Sequence, residues 1–316
     1  MRLVMIGTGP FAAPVFRALY DTRHTVAGLV TKPLGPAGEG RPPGGTIRAI
    51  AQQHGTPIFD PQDINSSQSH AGLAAFRPDL LVVCDYGQIL SGPTLAVARR
   101  GGINVHGSLL PKYRGAAPIN WAIYHGEKET GVSVIHMTPQ VDAGPVIAQE
   151  STPIGSEETA VELEARLAEI AARLVVSAID AVEAERVEGL PQDPSLVSKA
   201  PRLKKADGRI DWSRPAEAIR NQVRAMEPWP KTYTFWHRAG RPSLRLILGP
   251  VAVQEQACAG VAPGTVVQAE GDRLVVAAGD RCVAVSSLQP AGKRMLPVAE
   301  FLRGHRVQPG ERFGPE

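Results

Sequence analysis

The sequence predicts a two-part α/β protein. A mainly parallel, Rossmann-like sheet with helices on both faces comes first, and a smaller β-barrel domain follows. Three observations carry this expectation. Up to about residue 100, short apolar runs alternate with helix-like stretches, which is the βαβ pattern of a parallel sheet covered on both sides. The first apolar run enters a glycine turn, Gly7-Thr8-Gly9-Pro10, that leads straight into a helical pattern. From Ser243 onward the spacing changes to short β-rich runs divided by turns, as in a small barrel. A chain of 316 residues is long enough for two such bodies.

Residues 2–6 read as a buried strand, and residues 11–20 as the helix after it. The connection is G-x-G-x-x-A, a spacing that raises a dinucleotide site. That fingerprint needs a carboxylate after the second strand to hold a ribose. The second strand, residues 25–30, runs instead into Thr31-Lys32, so the glycines serve the turn only. Residues 33–45 are mostly Gly and Pro, a composition that cannot pack a core. A helix over 46–54 and a short strand over 57–59 follow. Asp79 to Cys84, preceded by Pro78, is apolar enough for a central parallel strand, and it ends at Asp85-Tyr86-Gly87-Gln88-Ile89-Leu90. Further strands are expected over 103–106, 131–137 and 146–149. Thr159-Ala160-Val161-Glu162 is a capping-box pattern, and Leu163, Leu167, Ile170, Leu174 and Ala178 then recur at helical spacing to about Val187. This divides the chain into a catalytic domain over 1–188, a Pro-rich basic linker over 189–207 and a C-terminal domain over 208–316. The last should open with a helix through Pro215 to Met226 and carry strands at 244–248, 264–268, 273–278 and 282–288.

Composition excludes several classes. Hydrophobic residues make up 43% and charged residues 21%, so the chain is globular rather than disordered. Neither a signal peptide nor a membrane span is legible, and a cytoplasmic protein is expected. Cys84, Cys258 and Cys282 are widely spaced and form no C-x-x-C or Cys/His cluster, so buried free thiols are expected and no metal site is indicated. Charge is uneven. Residues 1–200 hold 16 Lys+Arg against 20 Asp+Glu, whereas residues 201–316 hold 18 against 11. A basic second half fits a polyanion-binding domain or simply a basic tail domain.

The stretch that carries chemistry is Gly101 to Gly115, GGINVHGSLLPKYRG. Asn104 and His106 are two apart in a strand-like run, so their side chains share a face. A carboxamide beside an imidazole can stabilise an oxyanion and handle a proton. Asp142 lies in the turn after the 131–137 strand and is expected to reach the same edge. Taken singly, each of these is also a common structural residue: a buried Asn, a satisfied His, an Asp forming a turn.

Ser108-Leu109-Leu110-Pro111 followed by Tyr113-Arg114-Gly115-Ala116-Ala117-Pro118-Ile119 resembles, without a gap, the signature of the formyltransferases that use 10-formyltetrahydrofolate. The Asp142-Ala143-Gly144 turn is similar to that family's D-x-G, while Asp211-Trp212-Ser213, Pro228-Trp229-Pro230 and Gln289-Pro290-Ala291-Gly292-Lys293-Arg294-Met295 resemble its C-terminal landmarks. Three departures stand out. Gly9 occupies a place where the family carries Pro, Asp85 one where it carries a small residue, and Pro145 one where it often carries Asp.

The resemblance implies a formyltransferase fold with an OB-like C-terminal barrel. It implies catalytic roles for Asn104, His106 and Asp142, and a folate site formed by Tyr86, Gly87, Ile89, Ser108, Leu109, Leu110, Pro111 and Val141. Backbone groups of Leu109 and Leu110 are expected to meet the pterin. The donor would be 10-formyltetrahydrofolate, with no metal. The acceptor it implies is the amine of methionyl initiator tRNA, bound by a monomer, with Arg41, Lys112, Arg114, Lys293 and Arg294 as candidates for contacting RNA. The 33–45 loop is implied to approach the acceptor end, although only Lys32, Arg41 and Arg48 supply positive charge there. Two other functions share these residues: a sugar-nucleotide N-formyltransferase with the same donor, and a non-catalytic RNA- or nucleotide-binding module. A tRNA substrate predicts affinity that falls steeply with salt, and a sugar nucleotide predicts much less.

Overall fold

The computed structural model describes residues 1–34, 45–186, 188–238, 240–258 and 260–316. The chain divides into two compact units. The first comprises residues 1–119, 128–154 and 162–202, and the second residues 120–127, 155–161 and 203–316.

In the first unit, β1 (Arg2–Gly7), α1 (Ala12–Tyr20), β2 (Thr25–Val30), α2 (Gly45–Gln53) and β3 (Ile58–Phe59) follow the expected alternation. α3 (Ser67–Ala75) was not foreseen: of its side chains only Ser69 and Leu73 are buried, so no apolar stripe announces it. What starts it is Ser66, whose hydroxyl accepts a hydrogen bond from Ser69 N. β4 (Leu80–Cys84) is buried at every position, as a central parallel strand should be. A short α4 (Gly92–Leu95) leads to β5 (Gly102–His106), β6 (Arg114–Gly115), α5 (Pro118–Tyr124), which from residue 120 belongs to the second unit, and then β7 (Glu129–His136) and β8 (Val146–Pro153).

The sheet order is β3-β2-β1-β4-β5-β7-β8. The pairs β3–β2, β2–β1, β1–β4 and β4–β5 are parallel, while β5–β7 and β7–β8 are antiparallel. The sheet is thus mainly parallel with an antiparallel edge. Its order reverses direction between β1 and β4, which is where open α/β sheets form a crevice. α6 (Ala160–Glu183) buries Leu163, Leu167, Ile170 and Ala178, the expected stripe.

The stretch expected as a linker begins inside this unit. Leu190 bridges Val146, and β9 (Lys199–Ala200) pairs in parallel with β6.

The second unit is antiparallel. It contains α7 (Ala216–Ala225), β10 (Tyr233–Arg238), β11 (Arg241–Leu248), β12 (Val251–Ala257), β13 (Val266–Glu270), β14 (Arg273–Ala277), β15 (Arg281–Val285), β16 (Ser287–Pro290), β17 (Leu296–Pro297), α8 (Val298–Gly304) and β18 (Arg312–Gly314). Its sheets run β17-β16-β11-β10-β18 and β12-β15-β14-β13. Both turn apolar faces to one core that includes Trp236, Leu246, Val266, Leu274, Val283, Phe301 and Phe313, giving a small barrel-like domain. Cys258 and Cys282 were expected as free thiols; they are instead paired as a disulfide, their Cα atoms 5.6 Å apart. Pairing of β12 with β15 brings together two cysteines 24 residues apart, which spacing alone did not reveal. Cys84 is free and buried. Among the described residues no helix is long and apolar enough to cross a membrane.

Candidate active site

β5 sets the spacing of the polar pair. Asn104 lies opposite Ile135 and His106 opposite Ser133 on β7, so both side chains leave the same face. Asp142 joins them. Asn104 Nδ2 donates to Asp142 Oδ1 at 3.0 Å, and His106 Nδ1 lies 3.6 Å from Asp142 Oδ2. His106 is only 6% exposed, so its hydrogen bonds fix it. Its Nε2 lies 2.9 Å from the carbonyl oxygen of Tyr113. A carbonyl only accepts, so Nε2 carries the proton and Nδ1 is the nitrogen turned to the carboxylate.

The route by which Asp142 arrives differs from the expected one. β7 is antiparallel to β5 and leaves the sheet beside Gly102, where Met137 N donates to Gly102 O at 2.8 Å. The following loop therefore starts at the opposite end of β5 from His106 and folds back across the face. Two backbone features allow it. Asp142 itself adopts a left-handed φ of 49°. At Gly144 any Cβ would overlap the carbonyl oxygen of His136, so only glycine fits. Asp142 Oδ2 also accepts from Gly115 N at 2.9 Å.

A polar lattice centred on the buried Ser108 and Ser133 supports the Ser108–Pro111 segment. Ser133 Oγ donates to Ser108 O at 2.6 Å and accepts from Leu110 N at 3.0 Å and from Gln149 Nε2 at 2.7 Å. Gln149 Nε2 also donates to Leu110 O at 3.0 Å, and Ser108 Oγ to Lys112 O at 2.7 Å. Both backbone groups of Leu110 are thus engaged within the protein. Ser133 and Gln149 were not singled out from sequence. The available signal was a serine inside the apolar run Val132-Ser133-Val134.

Of the other residues assigned to the folate site, Tyr86 is 2% exposed and packs in the core with Val4, Val83 and Leu90. Burial pushes its phenol up to about 12. Gly87 has a left-handed φ of 77°. Ile89 and Val141 are exposed apolar side chains, while Leu109 and Pro111 are half-buried.

The segment after α6 reaches this site. Gln192 Nε2 donates to the carbonyls of Asp142 and Gly144, both at 2.8 Å. Its Oε1 accepts from Arg114 Nε at 3.0 Å and Arg114 Nη2 at 2.7 Å. Ser198 Oγ accepts from Tyr113 N, and Ser198 O from Arg114 N, both at 2.9 Å. Gln192 and Ser198 were read as linker, because a Pro-rich polar composition hides residues that bond sideways to a neighbouring loop.

Two carboxyls stand beside the crevice between β1 and β4. Asp85 keeps an exposed edge, yet protein crowds the rest of it; desolvation pushes its carboxyl up to about 6, with the Lys32 charge opposing the shift. Desolvation, with Asp85 adding to it, pushes Glu164 up to about 7. Burial and these two charges also push the Cys84 thiol up.

The residues assigned to RNA divide between the units. Lys112 is exposed and Arg114 is committed to Gln192 in the first unit. Lys293 and Arg294 are exposed in the second, with Arg294 paired to Glu300. Arg41 lies outside the described residues. Among the described residues, His24, Asp180 and Glu183 converge at metal-ligand spacing away from this site.

Comparison with known proteins adds to this geometry. A family model described as "Formyl transferase" matches residues 1–179, and one described as "Formyl transferase, C-terminal domain" matches residues 202–306. A methionyl-tRNA formyltransferase of Rhodopirellula baltica is 44% identical, over 99% of this chain and 96% of its own. One of Moorella thermoacetica is 40% identical, over 99% of each chain. Among solved structures, the sugar 3N-formyl transferase WlaRD aligns with a TM-score of 0.65 at 15% identity, over 93% of this chain and 99% of that one. HypX from Aquifex aeolicus in complex with tetrahydrofolic acid aligns with a TM-score of 0.61 at 16% identity, over 96% and 47%. At such identities the two structures speak for the fold.

Proposed function

The chain belongs to the formyl transferase family, and we propose that it transfers the formyl group of 10-formyltetrahydrofolate to the amine of methionyl initiator tRNA, giving formylmethionyl-tRNA for translation initiation. The observation that carries this reading is the convergence of Asn104, His106 and Asp142 in a chain whose relatives of nearly equal length are methionyl-tRNA formyltransferases.

The acceptor nitrogen must be neutral to attack. It surrenders a proton toward the His106 Nδ1–Asp142 pair, and its lone pair bonds to the formyl carbon. The carbonyl electrons move onto oxygen. Asn104 uses one amide hydrogen on Asp142, and its second remains for that oxyanion. Collapse breaks the bond from carbon to the folate nitrogen, which takes a proton as it leaves, and the new amide is released. The Tyr113 carbonyl holds the imidazole so that Nδ1 stays turned to Asp142 throughout. The exposed apolar side chains of Ile89 and Val141 suit the flat ring system of a folate donor. All three reacting groups come from one chain, so a monomer suffices. Lys112, Lys293 and Arg294 are proposed to meet RNA phosphates.

The test is direct. Purified protein, 10-formyltetrahydrofolate and methionyl initiator tRNA should yield formylmethionyl-tRNA, with a KM for tRNA that rises steeply with salt. Turnover of an amino-sugar nucleotide but not of the tRNA would overturn the acceptor. No turnover with any amine would overturn the reaction.

A further inference from the structure

We propose that Gln192 is a positioning residue for formyl transfer, fixing the Asp142 turn against the loop that holds His106. The inference rests on the reading of Asn104, His106 and Asp142 as the reacting groups.

Asp142 has a left-handed backbone without being glycine, a conformation that persists only where its surroundings enforce it. The carboxamide of Gln192 supplies that enforcement. A carboxamide has two N–H donors and an oxygen with two lone pairs. Here Nε2 serves the carbonyls on either side of Ala143, and Oε1 takes two hydrogens of the Arg114 guanidinium.

Arg114 stands in the segment that orients both reacting groups. Tyr113 O receives His106 Nε2, and Gly115 N donates to Asp142 Oδ2. One amide therefore spans the two loops on which the imidazole and the carboxylate depend. Gln192 is itself held from both sides. Leu190 and Val146 exchange backbone hydrogen bonds at 2.8 Å before it, and β9 pairs with β6 after it. At Gly115 any Cβ would overlap Ala200 O, so the segment lies directly against the loop.

Because Gln192 bonds only the backbone of Asp142 and reaches neither its carboxylate, the His106 imidazole nor the Asn104 amide, its loss should disturb geometry rather than remove chemistry. The test compares Gln192→Met, which keeps the shape without polar atoms, with Gln192→Glu, which keeps the Arg114 partner but has no N–H for the two carbonyls. Both should lower kcat about 100-fold, the order expected for a misplacement of about 1 Å. KM for the folate and the tRNA should stay within about threefold of wild type, and amide exchange over residues 138–146 should accelerate in the folded variants. A near-normal kcat in Q192M, or a raised KM with kcat kept, overturns the proposal. So does a near-normal kcat in Q192E, since anchoring Arg114 would then be sufficient. If Q192M does not fold, Q192E decides. Wild type is assayed alongside: if it transfers no formyl group, the functional reading fails, whereas the exchange measurement still reports whether Gln192 holds the turn.

Discussion

Gly9 and Asp85 occupy one space: a methyl group on residue 9 would overlap the Asp85 carboxylate. The preceding residue ties the two turns as well, Thr8 donating to Asp85 O through its amide at 3.1 Å and its hydroxyl at 2.6 Å. The two departures that the resemblance implies at these positions therefore meet in one place, where a Cβ on residue 9 and the carboxylate of residue 85 would compete. Gly9→Ala should destabilise the protein by up to about 1 kcal/mol, the low end for overpacking, because the carboxylate it meets ends an exposed side chain that can turn aside. Gly9→Ala with Asp85→Ala should recover most of that loss, giving a coupling read from denaturant midpoints in a double-mutant cycle. Strict additivity would show that the two positions do not share space.

Asp85 and Glu164 should make stability depend on pH. Their folded values of about 6 and about 7 lie above the ordinary 3.8 and 4.5. The stability they contribute is complete below pH 3.8, where both states are protonated. Above that the unfolded chain ionises first, so stability falls as pH rises and levels off beyond about 7. Glu164→Gln should flatten part of this decline and raise the thermal midpoint at pH 8 relative to wild type. An equal slope between pH 4 and 7 in wild type and variant would count against it.

Asn104→Ala should lower kcat by two to three orders of magnitude, since one preorganised oxyanion donor is commonly worth about 3–4 kcal/mol. His106→Ala and Asp142→Ala should each abolish measurable formyl transfer while the protein stays folded by circular dichroism. Near-normal rates in a folded variant would refute the role given to that residue.

Ser133→Ala should cost about 1–3 kcal/mol, because it leaves the buried Leu110 N–H without an acceptor. The check is the urea midpoint. A change below about 0.5 kcal/mol would mean that another group satisfies Leu110.

Much of the architecture follows from local signals. The apolar run through Val82 and Val83 and the stripe from Leu163 to Ala178 each form the element their periodicity indicates. α3 escapes because its start is a hydroxyl cap rather than an apolar face, and β18 escapes because its partner, β10, lies far back in the chain. At the site, Asn104 and His106 are legible because strand alternation puts them on one face. Asp142 is legible as a turn residue, but not its path, which depends on β7 running against β5. The Cys258–Cys282 pair, the Ser133 lattice and Gln192 are invisible for the same reason. Each is defined by a partner 23 to 50 residues away, and no periodicity encodes that.

The strap made by β9 and Gln192 bears on how this enzyme could be dissected. A fragment ended at Glu188, where composition turns Pro-rich, would sever β6 from β9 and remove Ser198 from the Tyr113 amide. Carrying the cut past Arg202 keeps those bonds whole. The catalytic body thus borrows its final brace from residues that, by appearance, belong to the tether.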